Sequence, residues 1–401
     1  LKLAELQTPC YIVHKDILQE GIDLLHDALD TYWGNYICGY SFKTGSLPWA
    51  LRFLEENGFY AEVVSEDEYR LAKHLGFDRV IYNGPVKGKE SFFDALWRGA
   101  IINIDSKREL RWLKEYREAN EGEEASYMIG LRVNFDLESD VPETSAGAEG
   151  SRFGFSYENG EFAEALAELD SMQVPLSGIH LHVGSRTRSV AIYEGIARMA
   201  CRIKKEYALE LKYVDIGGGY FGGMDDRPKY PDYMKAVAAI LSDAFDPHDT
   251  TLIVEPGTSI ITPPIDYMTS VVDVKDTYVK RIVTLDGSRI DVDPLHTKSS
   301  YFYEIVYGDG ESVRKRKTVP EQVLCGMTCM ENDRLTVLSD QPALMEGDRI
   351  LMHKVGGYTM CLTPLFIRYF PTVYLEENGE HTVIREAWGP DEYCAKSSII
   401  G

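Results

Sequence analysis

Between Asn35 and Gly257 the chain alternates short apolar runs with longer amphipathic ones. The apolar runs are NYICGYSF, FYAEVVS, RVIYNGP, GAIINID, SYMIGLRV, SGIHLHV, KYVDIGGG and TLIVEPG. Strands buried on both faces read as continuous apolar runs, and strands that alternate with helices pair in parallel. The intervening segments, such as LPWALRFLEENG and IYEGIARMACRIKKEYA, repeat apolar residues at three- and four-residue spacing, as one face of a helix requires. About eight such units in roughly 230 residues predict an α/β fold, a (β/α)8 TIM barrel over residues 31–265.

Beyond Glu255 the rhythm changes. SVVDVKDTYVKRIVTLDG, TVPEQVLCG, DRLTVLSD and TVYLEENGEHTVIREA are strand-like, with turn residues between them and no helical periodicity. They predict a C-terminal all-β domain over residues 266–401, a sandwich or small barrel. Residues 1–30 hold one strand, CYIVH, and a helix; the strand precedes the barrel rhythm and is expected to join the β-domain. The acidic, small-residue stretch Glu138 to Gly150 reads as a mobile loop.

The balance of 42 basic against 64 acidic residues gives a net charge of −22, which speaks against nucleic acid and anionic membrane as partners. No apolar run approaches the ~18 residues of a membrane span. The opening LKLAELQTP lacks the basic-then-apolar pattern of a secretory signal. The seven cysteines are odd in number and widely spaced, which suits a reducing cytoplasm better than a disulfide framework. Cys325 and Cys329 are four apart with no second pair, so no metal site is expected.

In a barrel of this kind the reactive groups stand at the carboxyl ends of the strands. Taken in order, those ends offer Lys43; Ser65 and Glu68; Asn83 and Gly84; Asp105; Asn134; His180, His182, Gly184 and Ser185; Gly217, Gly218 and Gly219; and Glu255, Pro256 and Gly257. Singly, each has an ordinary reading: Lys43 as a solvated strand end, Glu255 as half of a surface ion pair, the two histidines as packing. Together on one rim they describe a site. GGGYFG matches the dinucleotide pattern GxGxxG, but the following MDDRPKYPDY cannot open the helix that such a turn requires. A glycine loop after the seventh strand of a barrel instead offers backbone N–H groups to a phosphate. Phosphate loop, lysine and carboxylate together suggest pyridoxal 5'-phosphate (PLP). A lysine amine forms a Schiff base with its aldehyde. A carboxylate keeps its pyridine nitrogen protonated, which makes the ring an electron sink. An imidazole can stack on the ring face. Lys43, Glu255 and a histidine of the sixth strand are the candidates.

Several motifs, in this order, resemble the fold-type III PLP-dependent decarboxylases, which include diaminopimelate, ornithine and biosynthetic arginine decarboxylases. They are TPCYIVHKD, YSFKTG, EVVSEDE, HLHVGSRT, DIGGGYFGG, VEPGTSI, GMTCMENDRL and GGYTM, and they span nearly the whole chain. The resemblance implies a barrel followed by a β-domain and an amino-acid decarboxylase working as a head-to-tail homodimer with shared active sites. It implies that Lys43 carries the cofactor and that His182 stacks on its ring. Ser185, Gly217, Gly218, Gly219, Gly257 and Tyr358 would lie at the cofactor and its phosphate, Glu255 at the pyridine nitrogen, and Glu68 nearby. Cys329 would enter from the partner subunit and return a proton.

The chain also departs from the family pattern. Thr258 follows Glu-Pro-Gly where an Arg is usual, and Gly45 stands where an Asn is usual. Cys329-Met330-Glu331 replaces Cys-Glu-Ser, and Asp293-Pro294 replaces Arg-Pro. Two anchors for a substrate carboxylate are therefore missing relative to the diaminopimelate branch, which GAEGSRFGF still resembles. The expectation is an amino-acid substrate other than meso-diaminopimelate, with Asp293 or Glu331 facing a distal amine and a product amine of the polyamine or siderophore-precursor kind. The alternatives are a racemase of the same cofactor fold, which places an Arg rather than a carboxylate at the pyridine nitrogen, and an inactive regulatory homologue.

Overall fold

The computed structural model describes residues 1–122, 126–137, 141, 150–184, 187–308 and 315–398. The segment expected to be a mobile loop, 138–150, lies outside the described residues except for Val141 and Gly150. The chain forms two compact units, Gly21–Ser259 and the combination of Leu1–Glu20 with Ile260–Gly401. The chain opens with β1 (Cys10–His14) and α1 (Lys15–Tyr32), and the unit boundary falls inside α1.

The first unit continues as β2 (Tyr36–Ser41), α2 (Pro48–Glu56), β3 (Tyr60–Val63), α3 (Glu66–His74), β4 (Val80–Tyr82), α4 (Lys89–Trp97), β5 (Ile101–Ile104) and α5 (Lys107–Ala119). Then come β6 (Met128–Asn134), β7 (Phe155–Ser156), α6 (Glu161–Ser171), β8 (Gly178–His180), α7 (Val190–Glu206), β9 (Tyr213–Asp215), α8 (Tyr230–Leu241) and β10 (Thr251–Val254). The strand order is β5-β4-β3-β2-β10-β9-β8-β6, every pairing is parallel, and β5 pairs with β6 to close the barrel. The two-residue β7 only extends β6 sideways. The expected (β/α)8 barrel is therefore present, and each apolar run supplies one of its strands.

The barrel interior is a packed core. Ile81, Ile101, Tyr213 and Ile253 are buried against one another there. The Tyr213 ring fits because the two strands it crosses carry glycines: a Cβ on Gly178 would stand 2.3 Å from the ring, and one on Gly130 would stand 2.1 Å from its hydroxyl. Helix starts are locally encoded. Pro48 sits in the first turn of α2, and the Ser65 hydroxyl caps α3 by accepting from the Glu68 N–H at 3.2 Å.

After α9 (Thr258–Ile261) the second unit adds β11 (Ile265–Asp276), β12 (Arg281–Leu285), α10 (Arg289–Val292), β13 (Phe302–Val306), β14 (Thr318–Cys325) and β15 (Arg334–Pro342). It ends with β16 (Arg349–His353), β17 (Thr372–Glu377), β18 (Glu380–Arg385) and α11 (Pro390–Cys394). The sheet runs β15-β14-β12-β11-β1-β17-β18, with β16 on β11 and β13 on β16. β1 lies between β11, antiparallel, and β17, parallel. Its Cys10 and Ile12 share a core with Leu6, Met268, Leu351 and Tyr374. The helices α10 and α11 were not expected from the strand-like pattern. Each is a single turn, too short for helical periodicity to register, and α10 is set by the Ser288 hydroxyl accepting from Ile290 N–H. No helix among the described residues is long and apolar enough to cross a membrane.

Candidate active site

The inward-facing side chains near the carboxyl ends of the barrel strands form one connected polar layer. It begins at Lys43, in a single 3-10 turn, Phe42–Thr44, directly after β2. The Lys43 amine donates to Ser41 Oγ at 2.7 Å and lies 3.3 Å from Glu62 Oε2, while its side chain remains 44% exposed. The Ser41 hydroxyl also donates to Glu62. Glu62 is buried, and its other oxygen accepts from Asn83 Nδ2 at 2.9 Å. The same Asn83 nitrogen donates to Glu255 Oε1 at 2.5 Å. Asn103 Nδ2 then links Asn83 Oδ1, at 2.8 Å, to Asp215 Oδ2, at 3.1 Å.

Glu255 stands just past β10, buried beside His180 and Asp215. Burial alone would raise its carboxyl, but His180, the Asp215 hydrogen bond and Lys43 hold it well below the usual carboxylate range. Asp215 goes the other way: burial first, then the adjacent Glu255 charge, push it well above its ordinary value. The pair thus favours the anion on Glu255 and the proton on Asp215. His180 Nε2 lies 3.4 Å from Glu255 Oε2, yet neither ring nitrogen has a hydrogen-bond partner among the described residues. His180, Asp215 and Glu255 also have the spacing of three metal ligands. Side-chain amides donate to both carboxylates, Asn83 to Glu255 and Asn103 to Asp215, and offset part of their mutual repulsion.

His182 follows β8, half-buried. Burial, then the Arg132 guanidinium, lower its pKa to about 3, so the ring is neutral. Its Nδ1 accepts from Gly218 N–H at 3.3 Å, which places the ring proton on Nε2. This bond divides the glycine run. Gly217 N–H donates to Asp215 Oδ1 at 2.9 Å, and Gly218 N–H is taken by His182. A Cβ on Gly217 would stand 2.4 Å from His182 Nδ1, and one on Gly218 would stand 1.9 Å from the Glu255 carbonyl oxygen. Those two glycines therefore seat the loop against the barrel and the imidazole. The expectation that all three offer their N–H groups to a phosphate narrows to Gly219, together with Gly257. The amides of both lack an acceptor among the described residues. Gly257 is itself required by close packing, since a Cβ would meet Thr44 at 2.4 Å.

Glu68 lies behind the lysine turn. Its carboxylate accepts from Val64 N–H at 2.8 Å; burial raises its pKa to about 7, with Glu62 adding to the rise and Lys43 opposing it. Ser185 lies outside the described residues. Gly45, in place of the usual Asn, has φ 178°, extended backbone open to any residue, and its carbonyl accepts from the Tyr40 hydroxyl at 2.8 Å. Thr258 begins α9.

The remaining candidates belong to the other unit. Cys329 is exposed on the loop between β14 and β15. That loop is fixed by buried Asp333, whose carboxylate accepts from Thr328 N–H at 3.1 Å, Thr328 Oγ1 at 2.6 Å and Ser288 Oγ at 2.9 Å. Tyr358 is half-buried with φ +61°. Glu331 is exposed, 4.0 Å from Arg334. Asp293 does not meet the expectation of a residue waiting for a substrate amine. It is buried at 2% exposure, and its carboxylate already accepts from Arg289 at 2.9 Å, the Thr297 N–H at 2.9 Å, the Lys298 N–H at 3.1 Å and the Tyr301 hydroxyl at 3.1 Å.

Glu62, Ser41, Asn103, Arg132, Asp215 and Asp333 were not singled out from the sequence. A signal existed for most of them: each barrel residue is a lone polar side chain inside or at the end of an apolar run.

The family model described as the pyridoxal binding domain of pyridoxal-dependent decarboxylases matches residues 20–262. The chain belongs to this family. It is a PLP-dependent carboxy-lyase acting on amino acids, and its cofactor is PLP. The donor set on the rim suits that group, with an amine, an ionised carboxylate, a neutral imidazole and two uncommitted glycine amides. A probable chloroplastic diaminopimelate decarboxylase from Oryza sativa is 27% identical over 96% of this chain and 79% of that protein. Diaminopimelate decarboxylase from Aquifex aeolicus is 26% identical over 98% and 92%. The crystal structure of diaminopimelate decarboxylase from M. jannaschii in co-complex with L-lysine superposes with a TM-score of 0.84 at 22% identity, over 98% of this chain and 92% of that one.

Proposed function

We propose that this chain decarboxylates an amino acid with a cationic distal group, in preference to meso-diaminopimelate. The observation that carries the decarboxylase chemistry is the buried layer joining Lys43, through Glu62 and Asn83, to an ionised Glu255. PLP, when bound, supplies a protonated ring that accepts the electron pair left as carbon dioxide departs. Glu255, the member of the Asp215 pair on which the anion is favoured, favours the proton on the ring nitrogen. Here a racemase carries Arg. His182, neutral and oriented by Gly218 N–H, presents an uncharged face for stacking. Lys43 Nζ is positioned by Ser41 and Glu62, which hold or take its proton as the substrate amine replaces it. The Gly219 and Gly257 N–H groups would meet the phosphate. Cys329, exposed on a loop pinned by Asp333, donates the proton that replaces the carboxylate across a homodimer interface.

The substrate preference rests on Thr258 and Asp293-Pro294 standing where the family carries Arg to anchor a carboxylate, and on Cys329-Met330-Glu331 in place of Cys-Glu-Ser. With Asp293 already engaged, Glu331 is the acidic group left to meet a distal amine. The competing reading, meso-diaminopimelate, is favoured by the names of the relatives. Carbon dioxide release should be measured with the L- and D-forms of lysine, ornithine and arginine, and with meso-diaminopimelate. Fastest turnover of a mono-carboxylate diamino acid is expected, and fastest turnover of meso-diaminopimelate would overturn the preference while leaving the decarboxylase reading in place. The free cysteines suit a cytoplasmic setting.

A further inference from the structure

We infer that Asn83 is a positioning residue that ties the lysine end of the site to the ring-nitrogen end, by holding Glu62 and Glu255 on one side-chain amide. An Asn side chain has two N–H donors on one nitrogen. Here both are spent on carboxylates, Glu62 Oε1 at 2.9 Å and Glu255 Oε1 at 2.5 Å. Glu62 is the group that faces Lys43, and Glu255 the group assigned to the ring nitrogen. Among the described residues, Asn83 is the one side chain that donates to both.

Its orientation is set by the layer behind it. Were the amide reversed, its oxygen would face two carboxylates. Asn103 Nδ2 prevents this by donating to Asn83 Oδ1 at 2.8 Å. Asn103 is fixed in turn, because its Oδ1 accepts from the Tyr213 hydroxyl at 2.7 Å while its Nδ2 also reaches Asp215 Oδ2 at 3.1 Å. All donors in this chain point the same way, from Tyr213 through Asn103 and Asn83 to the carboxylates. Asn83, Asn103, Glu62 and Tyr213 are at most 1% exposed, so water does not substitute for a missing donor. Two buried carboxylates lacking these donors would bind protons more strongly. Asn83 thus fixes the spacing of the two acids and makes their protonation, and that of the lysine beside Glu62, a single coupled property.

The inference rests on the reading that PLP occupies this rim, and the test separates the two. The visible absorbance band of the PLP-loaded protein is titrated with pH in the wild type, Asn83→Ala, Asn83→Asp and Tyr213→Phe, and PLP affinity is measured alongside. Folding is checked by circular dichroism. In both Asn83 variants the titration midpoint is expected to rise by about one pH unit, because the carboxylates lose their donors. The PLP dissociation constant is expected to rise about tenfold. Tyr213→Phe keeps the ring that fills the space over Gly130 and Gly178, and should shift the midpoint the same way but less. A purely structural role for Asn83 would lower the melting temperature and leave the midpoint alone. A wild-type midpoint in the folded Asn83 variants overturns the inference; so does loss of fold in both with Tyr213→Phe unshifted. A wild-type protein that shows no visible band with PLP would overturn the site reading itself, and the inference with it.

Discussion

Lys43 leaves the barrel wall through one tight turn, and its immediate neighbours decide its chemistry: Ser41 at 2.7 Å, Glu62 at 3.3 Å, and Glu68 behind. Replacing Lys43 with Ala should abolish the visible band on adding PLP and stop carbon dioxide release. Glu255→Gln tests the opposite end. It should retain the band, since Lys43 is untouched, and slow carbon dioxide release about 100-fold, because the anion that favours a protonated ring nitrogen is gone. Glu68 gives a stability signature. Its folded pKa, about 7, lies above the 4.5 of an ordinary Glu, so between those values the native state binds more protons than the unfolded state. Stability associated with this group is therefore present below about pH 4.5 and is lost as pH rises toward 7. Glu68→Gln should flatten that decline, and thermal melts of the two proteins across this range would show it. His182, neutral down to about pH 3, should contribute no ionisation to the activity profile near neutrality.

Individual elements carry constraints of their own. The loop after β9 can approach the barrel only because it is bare, and a Cβ on Gly218 would stand 1.9 Å from the Glu255 carbonyl. Gly218→Ala should therefore cost about 3 kcal/mol and displace His182, read as a lower denaturation midpoint together with weaker PLP binding. In the other unit, β1 is fastened by His14, which lies 3.0 Å from Asp266 on β11 and 3.3 Å from Glu376 on β17. Burial alone would lower the His14 pKa, but Asp266 and then Glu376 raise it above 6.5. Asp266, shared with His353 at 2.8 Å, is lowered in return despite its burial. For a raised histidine, the native state binds the extra proton. The stabilisation is complete below pH 6.5 and is lost as pH rises through the folded value. His14→Gln should lessen the fall in stability on the alkaline side of 6.5, measured by denaturant titration at a series of pH values.

For the whole molecule, the proposed homodimer makes a prediction that no single residue does. If Cys329 acts in the partner's site, inactive Lys43→Ala and Cys329→Ala proteins should regain activity on mixing and subunit exchange, with up to about a quarter of the sites restored. Absence of rescue in a demonstrated mixed dimer would confine Cys329 to its own subunit. The architecture behind such tests was legible early. Eight apolar runs became the eight barrel strands, because strands buried on both faces need continuous apolar sequence and that need is local. Lys43, His182, Glu255 and the glycine loop were legible because they sit at strand ends, where the fold itself announces a rim. Glu62, Asn103 and Asp215 were hidden inside those same runs, since a lone polar residue in an apolar strand gains meaning only when closure of the barrel turns it toward others. Asp293 shows the converse: its position in a divergent motif suggested a waiting carboxylate, and local folding of α10 and the segment after it closed hydrogen bonds around it. The order of apolar and amphipathic segments, a property of neighbouring residues, was determined by the sequence alone. Which polar side chains share a proton, which glycine amides are left over, and which amide binds two acids together were decided by tertiary structure. These depend on distances of about 3 Å between residues from about 20 to more than a hundred positions apart, which no local pattern encodes.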